Sequence, residues 1–231
     1  MNQHRILVVD DEPQIQRFLN PALNASGYEV ILASTGAEAE RLAATSAPDL
    51  IVLDLGLPDK DGKEVIETVR AFSEVPIIVL SARDREAEKI ASLDLGANDY
   101  VEKPFGIGEL LARIRTALRQ QVAGTSVPSR FEANGLVVDM VKRIVSRNGE
   151  EVHLTRKEYQ LLVHLVLHAG MVVTHRQLLA SVWGAAHVHD LQYLRVFVGQ
   201  LRAKIEDDAN NPQFIRTEAG VGYRFIAESI G

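Results

Sequence analysis

Five short apolar runs, at residues 6–9, 28–32, 49–53, 76–80 and 99–101, punctuate the first half of the chain. Between them, at 13–25, 36–45, 62–72, 84–95 and 108–120, apolar residues return every three or four positions, as in helices with one buried face. Strands separated by helices of this length pair in parallel, and the connecting helices cover both faces of the sheet. Residues 50–53 and 77–80 show no polar alternation, which fits central strands buried on both sides. Residues 1–121 are therefore expected to form one α/β domain.

The pattern changes beyond that point. Residues 122–129 are small and polar without periodicity and read as a linker. Residues 131–153 then alternate like a small antiparallel sheet, with turns at Asn134-Gly135 and Asn148-Gly149. The run T-R-K-E at 155–158 is a capping box ahead of an apolar-periodic stretch at 159–167, which stops at Gly170. Thr174 caps a second helix at 176–183, a third spans about 190–206, and 214–217 with 223–226 form a closing hairpin. The second domain, 130–231, is thus expected to be α+β.

Charge divides at the same place. Residues 1–122 carry 13 Lys/Arg against 20 Asp/Glu, a net of −7, and the remainder 12 against 11, a net of +1. An acidic module joined to a near-neutral one with clustered Arg and Lys suggests two different partners. The absence of cysteine excludes disulfides, thiolate catalysis and Cys-based zinc sites. No apolar run approaches the roughly 18 residues of a membrane helix and the start is not signal-like, so a cytoplasmic protein without a membrane partner is expected.

Functional groups of an open parallel sheet gather at the carboxyl ends of its strands. The predicted strand ends carry Asp10, Asp11 and Glu12, then Asp54, then Ser81, then Lys103. Neighbouring carboxylates repel by roughly 4 kcal/mol per pair at an effective dielectric of about 20, so a cation belongs among them. Mg2+ is hard, prefers oxygen, and binds through one or two carboxylates plus phosphate. A carboxylate is also a nucleophile toward phosphorus. On this reading Asp54 attacks, Asp10 and Asp11 hold the metal, and Lys103 balances the phosphoryl oxygens. Taken singly, each has an ordinary reading as a turn, a cap or a solvated charge; their convergence favours the phosphoryl site.

The runs V-V-D-D-E (8–12), L-D-L-G-L-P-D-K-D-G (53–62), L-S-A-R (80–83) and N-D-Y-V-E-K-P-F (98–105) resemble the receiver domain of two-component response regulators. The resemblance implies a flavodoxin-like (βα)5 fold with Asp54 as phosphoacceptor. Asp11 would ligate Mg2+ directly, Asp10 largely through water, and Gly56 through its backbone carbonyl. Ser81 would hydrogen-bond the phosphoryl group while Tyr100, nineteen residues on, rotates inward as its switch partner. Lys103-Pro104 would be cis, and Gly56 and Arg83 stand where the family tunes phosphate lifetime. Lys89, Asp94, Asp99, Glu109, Arg113 and Arg119 would form a symmetric dimer face; Asn98 departs from an acid common in the subclass.

The second half resembles the winged helix of OmpR/PhoB-type regulators through H-L-T-R-K-E-Y-Q-L-L (153–162), R-Q-L-L-A-S-V-W-G (176–184), L-R-A-K-I-E (201–206) and T-E-A-G-V-G-Y-R-F (217–225). Its third helix would enter the DNA major groove, with Gln192, Tyr193, Arg195, Gly199, Gln200, Arg202 and Lys204 outward and Leu194, Val198 and Leu201 in the core. Gln200 and Arg195 would lie near bases, Arg202 and Lys204 near the backbone, and Thr217 and Tyr223 of the hairpin would complete the DNA-binding set. The wing tip, Glu218-Ala219, lacks an Arg for the minor groove. His187-Val-His189 lies in a loop without further metal ligands.

Together these imply a DNA-binding regulator, not an enzyme beyond its own phosphorylation and slow autodephosphorylation. A sensor histidine kinase would phosphorylate it, homodimers would form, and promoter DNA and RNA polymerase would be its partners. L-D-L-G-L-P-D, L-S-A-R, G-A-N-D-Y and K-P-F-G-I-G-E-L-L-A-R are most similar to regulators of high-affinity potassium-uptake operons, implying a KdpD-type kinase. Another operon of the same subclass, or a degenerate receiver that ignores phosphorylation, are the alternatives. An aspartate-nucleophile phosphatase would carry an acid two residues after Asp54, where Gly56 stands.

Overall fold

The computed structural model of the chain describes residues 3–82, 86–123 and 129–226. Arg83 and most of the predicted linker lie outside the described residues. The chain divides into two units, Met1–Val122 and Ala123–Gly231.

In the first unit β1 (Arg5–Val9), β2 (Glu29–Ala33), β3 (Leu50–Asp54), β4 (Ile77–Ala82) and β5 (Asp99–Lys103) alternate with α1 (Pro13–Ala25), α2 (Gly36–Thr45), α3 (Gly62–Arg70), α4 (Glu86–Asp94) and α5 (Ile107–Ala123). The strands form one sheet in the order β2-β1-β3-β4-β5, paired in parallel throughout. This is the flavodoxin-like (βα)5 architecture. Ile6, Val8, Leu50, Val52, Ile78 and Leu80 pack under Leu19 and Leu23 of α1 and Leu110 and Ile114 of α5. Leu7, Val9, Ile51, Leu53, Ile77 and Val79 alternate with them and are equally buried, because successive side chains point to opposite faces. Both faces are dry, which is why these strands read as unbroken apolar runs.

Local chemistry sets the helix starts. Pro13 opens α1, where its missing N–H costs nothing. Thr35 accepts from the Glu38 amide to cap α2, and Asp61 accepts from the Lys63 amide to cap α3. The α2 terminus is held a second time, from the β3–α3 loop: Asp59 Oδ1 and Oδ2 accept from the amides of Gly36 and Ala37 at 2.7 and 2.9 Å. Those two bonds hold the Asp59 carboxyl below its ordinary value. α5 continues to Ala123, so the first two residues of the predicted linker are helical.

The second unit begins with the antiparallel sheet β6 (Arg130–Ala133), β7 (Leu136–Asp139), β8 (Ile144–Arg147) and β9 (Glu150–Glu151). Its two predicted turns carry positive φ at Asn134, Gly135, Asn148 and Gly149, as two-residue hairpin loops demand. Helices α6 (Arg156–Leu167), α7 (His175–Trp183) and α8 (Leu191–Ile205) follow, α6 and α7 opening on capping boxes at Thr155–Glu158 and Thr174–Gln177. β11 (Ile215–Glu218) and β12 (Gly222–Phe225) form the closing hairpin. A strand not expected from the sequence, β10 (Val172–Thr174), pairs antiparallel with β12. Leu161, Leu165, Leu178, Leu194, Val198, Leu201, Phe214 and Phe225 make the core. This is the α+β winged helix. Among the described residues, no helix is long and apolar enough to cross a membrane.

Gly62 lets α3 start directly against the end of β3. A Cβ there would lie 2.6 Å from the Asp54 carbonyl oxygen and 2.7 Å from Leu55 Cα, both backbone atoms of the strand end. Gly62→Ala is expected to destabilise the first unit by about 1–3 kcal/mol, the usual cost of overpacking. Urea denaturation followed by circular dichroism checks this; an unchanged midpoint would refute the close approach.

Candidate functional site

β1 lies between β2 and β3, so the chain direction of the connections reverses there and a crevice opens at the strands' carboxyl ends. Asp10 follows β1, Asp54 ends β3, Ser81 stands at the end of β4 and Lys103 ends β5. Asp10 is fully buried, and Asp54 and Ser81 are buried, while Asp11 is exposed. The carboxylates of Asp10, Asp11 and Asp54 each offer an oxygen, all within 4.8 Å of one another.

Lys103 binds the cluster together. Its Nζ lies 2.9 Å from Asp54 Oδ1, 3.0 Å from Asp10 Oδ2 and 3.4 Å from Glu12 Oε1, and the Lys103–Pro104 peptide is cis. The second carboxylate oxygens of Asp10 and Asp54 are also committed. Asp10 Oδ1 accepts from the Glu12 amide at 2.9 Å, and Asp54 Oδ2 from the Gly56 amide at 3.1 Å. Burial pushes the Asp10 carboxyl up, further than Lys103 and the Glu12 amide pull it down. Burial alone would lower Lys103, but its hydrogen bonds to Asp54 and Asp10 hold it above its ordinary value. The site thus contains more negative charge than its single ammonium neutralises.

Two residues reach this site in ways that the sequence did not show. Gln16 donates to Asp10 O at 2.6 Å, Ala33 O at 3.1 Å and Ser34 Oγ at 3.0 Å, tying α1 to the ends of β1 and β2. Glu12 read as part of an acidic run, yet its side chain reaches Lys103. Tyr100 is buried, with the Lys89 ammonium 5.2 Å from its ring centroid.

Four of the six residues expected on the dimer face are engaged in ion pairs within the chain. Lys89 pairs with Glu102 at 2.6 Å, and Arg113 bridges Asp99 at 2.9 Å and Glu109 at 2.7 Å. Asp94 is half-buried and Arg119 exposed. Asn98 accepts from Arg70 Nη2 at 3.0 Å and from the Ile77 amide at 2.9 Å, so its amide holds the α4–β5 turn to β4.

On α8, Gln192, Tyr193, Arg195, Gly199 and Gln200 face solvent while Leu194, Val198 and Leu201 are buried. Arg202 and Lys204 are occupied internally. Arg202 Nη2 lies 2.9 Å from Thr217 Oγ1, and its Nε 3.0 Å from Ile215 O. Lys204 Nζ sits 2.7 Å from the buried Glu158 Oε2. Against burial, which raises it, Lys204 and the Thr155 amide hold the Glu158 carboxyl below its ordinary value. Thr217 is exposed; Tyr223 is buried beneath the Arg202 guanidinium, 5.7 Å from its ring centroid. Val196, 55% exposed, joins the outward face without having been expected there.

Comparison with known proteins agrees with both halves. Residues 6–115 match the response regulator receiver domain, and 149–225 match the C-terminal domain of transcriptional regulatory proteins. The chain belongs to the two-component response regulators whose DNA-binding domain is of the OmpR/PhoB type, and membership implies a cognate histidine kinase and promoter DNA. Within that family it is similar to the KDP operon transcriptional regulatory protein KdpE of Escherichia coli (strain K12), 50% identical over 221 residues, covering 96% of this chain and 98% of that protein. It is also similar to the transcriptional regulatory protein KdpE of Mycobacterium tuberculosis (strain H37Rv), 47% identical over 96% of this chain and 99% of that one. Among solved structures it resembles the response regulator DrrB of Thermotoga maritima, an OmpR/PhoB homolog, at TM-score 0.50 and 30% identity, covering 98% of this chain and 100% of that one.

Burial of a charged Asp10 has a measurable consequence. Its folded pKa lies above its unfolded value, so the folded chain binds more protons in that window and stability falls as pH rises through it. In chelator, Asp10→Asn is expected to be more stable than wild type at pH 7 by on the order of 1 kcal/mol. That advantage should shrink as pH is lowered through the window. Denaturant melts at several pH values check it; a constant gap would contradict the burial argument.

Proposed function

We propose that Asp54 accepts a phosphoryl group from a histidine of a sensor kinase and that the modified receiver controls DNA binding by the winged helix. The carrying observation is the meeting of Asp54 Oδ1 and Asp10 Oδ2 on the Lys103 ammonium at 2.9 and 3.0 Å. In the transfer, an Asp54 oxygen forms the P–O bond as the P–N bond to the kinase imidazole breaks, and the electron pair returns to the imidazole. The phosphoryl group carries about 1.5 to 2 negative charges in place of the single charge of the carboxylate, and Lys103 helps offset the increase. Ser81, at the end of β4 beside β3, hydrogen-bonds the phosphoryl oxygens, and Tyr100 is its switch partner.

The all-oxygen donor set fits Mg2+. Asp10, Asp11, Asp54 and the Gly56 carbonyl would hold it, where it neutralises charge on the phosphoryl oxygens. The same pocket supports slow autodephosphorylation, and no other catalysis is assigned. Lys89, Asp94, Asp99, Glu109, Arg113 and Arg119 then serve a symmetric dimer, the internal pairs of Lys89 and Arg113 being exchanged for pairs across it. On α8, base reading falls to Gln192, Arg195 and Gln200, with Tyr193 beside them. Arg202, Lys204, Thr217 and Tyr223 act chiefly by fixing the helix against the hairpin and α6.

The likeness to two KdpE proteins supports control of a potassium-transport operon, a KdpD-type kinase as donor, RNA polymerase as the downstream partner, and a cytoplasmic location. The domain limits that fit this reading are a receiver at 1–121, a linker at 122–129 and a winged helix at 130–231.

Incubation with a small acyl phosphate and Mg2+, followed by intact-mass measurement, tests the acceptor. Wild type is expected to gain one phosphoryl adduct, Asp54→Ala none, and chelator to abolish the gain. An undiminished adduct on Asp54→Ala would overturn the assignment.

A further inference from the structure

α8 exposes Leu191, Tyr193 and Val196, of which Val196 is the most exposed, and it contains one glycine whose absent side chain nothing in the chain requires. Val196 is 55% exposed, although the core stripe of the helix is complete without it in Leu194, Val198, Leu201 and Ile205. Gly199 lies three residues on, in the helix interior, where glycine is the least favourable residue after proline. A Cβ built on Gly199 would meet nothing within 4 Å. Gly62 and Gly222 differ in this respect, because their Cβ atoms would run into backbone at 2.6 and 2.0 Å. Packing therefore accounts for those glycines and leaves Gly199 unexplained.

Helical spacing puts Gln192, Arg195, Val196, Gly199 and Gln200 on one face. A helical side chain leans toward the N-terminus and covers the turn before its own Cα, so the missing side chain of Gly199 uncovers the surface beside Val196. The helix backbone is thereby open at Gly199 beside an exposed apolar side chain, flanked by side chains able to read bases. In a major groove the one apolar group a base pair presents is the thymine C5-methyl.

We propose that Gly199 and Val196 form a thymine-methyl subsite: Gly199 lets the α8 backbone approach the base edges, and Val196 supplies the apolar contact. The proposal rests on α8 being the helix that enters the major groove. Gln and Arg at the flanks hydrogen-bond neighbouring bases, so the subsite fixes a thymine at one position of each half-site.

The test uses the full-length protein and a duplex that it selects from random DNA. Each thymine of the half-site is replaced in turn by deoxyuridine, which removes only the methyl. For wild type, one position is expected to weaken binding about three- to fivefold, the effect of withdrawing one methyl from apolar contact. Val196→Ala should bind more weakly and be indifferent to that replacement. Gly199→Ala should melt at higher temperature than wild type yet bind the duplex about tenfold more weakly, a pairing of effects that damage to the fold cannot produce. Wild-type affinity in Gly199→Ala, or undiminished methyl sensitivity in Val196→Ala, overturns the subsite. Arg195→Ala and Gln200→Ala separate the two levels of the argument. If they weaken binding while the subsite tests fail, the groove assignment of α8 stands and only the subsite is lost. If they too bind as wild type, the groove assignment itself falls.

Discussion

One ammonium group placed between two buried carboxylates is the constraint on which the receiver is built. Lys103 Nζ reaches Asp54 at 2.9 Å and Asp10 at 3.0 Å, and these three residues come from the ends of β5, β3 and β1. Buried like charges repel unless a cation sits among them, so the strand ends hold together only through Lys103 or a further cation. The backbone is arranged to the same purpose. Gly62 admits the close approach of α3, Asp59 clamps the β3–α3 loop to α2, and Gln16 clamps α1 to the ends of β1 and β2. A site held by compensating charges is sensitive to any added charge, which makes it suited to sensing a phosphoryl group.

Continuous contacts lead outward from that site. Ser81 pairs in register with Glu102 across β4 and β5, Glu102 binds Lys89 of α4 at 2.6 Å, and the Lys89 ammonium lies over Tyr100. Arg113 of α5 is fastened to Asp99 of β5. Four of the charges proposed for dimerisation, Lys89, Asp99, Glu109 and Arg113, are thus held in internal pairs that share elements with the site. Lys89 and Asp99 are themselves buried, so their pairs are not the weak ion pairs of a solvated surface, and exchanging them for intersubunit partners requires that each buried charge be re-paired. In the second unit the allocation differs: Arg202 and Lys204 tie α8 to β11 and α6, while Gln192, Arg195, Val196 and Gln200 stay exposed on its outward face.

The receiver was readable from sequence because its three central strands, β1, β3 and β4, are buried on both faces. Short apolar runs marked all five strands, unbroken in the central ones, and α1 and α2 fall on the limits that their caps and periodicity imply. The acids, Ser81 and Lys103 were legible because strand ends converge by topology alone. What the sequence concealed depends on three-dimensional neighbours. β10 is three residues between two helices, too short to show alternation, and exists because β12 offers it a partner. The end of α5 at Ala123 escaped notice because small and polar residues can still be helical. Arg202 and Lys204 were expected near the DNA backbone, and only the fold shows that they also hold Thr217 and Glu158. Val196 was hidden for the same reason, and although Gly199 was expected to face outward, its empty Cβ position is a property of the fold.

The central claim is that charge added at Asp54 is reported to DNA. Its most direct measurement is the affinity of the full-length chain for a selected paired half-site, with and without a small acyl phosphate and Mg2+, in wild type and Asp54→Ala. The account predicts tighter binding on phosphorylation in wild type and no change in the variant. Equal affinity of the phosphorylated and unphosphorylated wild-type protein would contradict it.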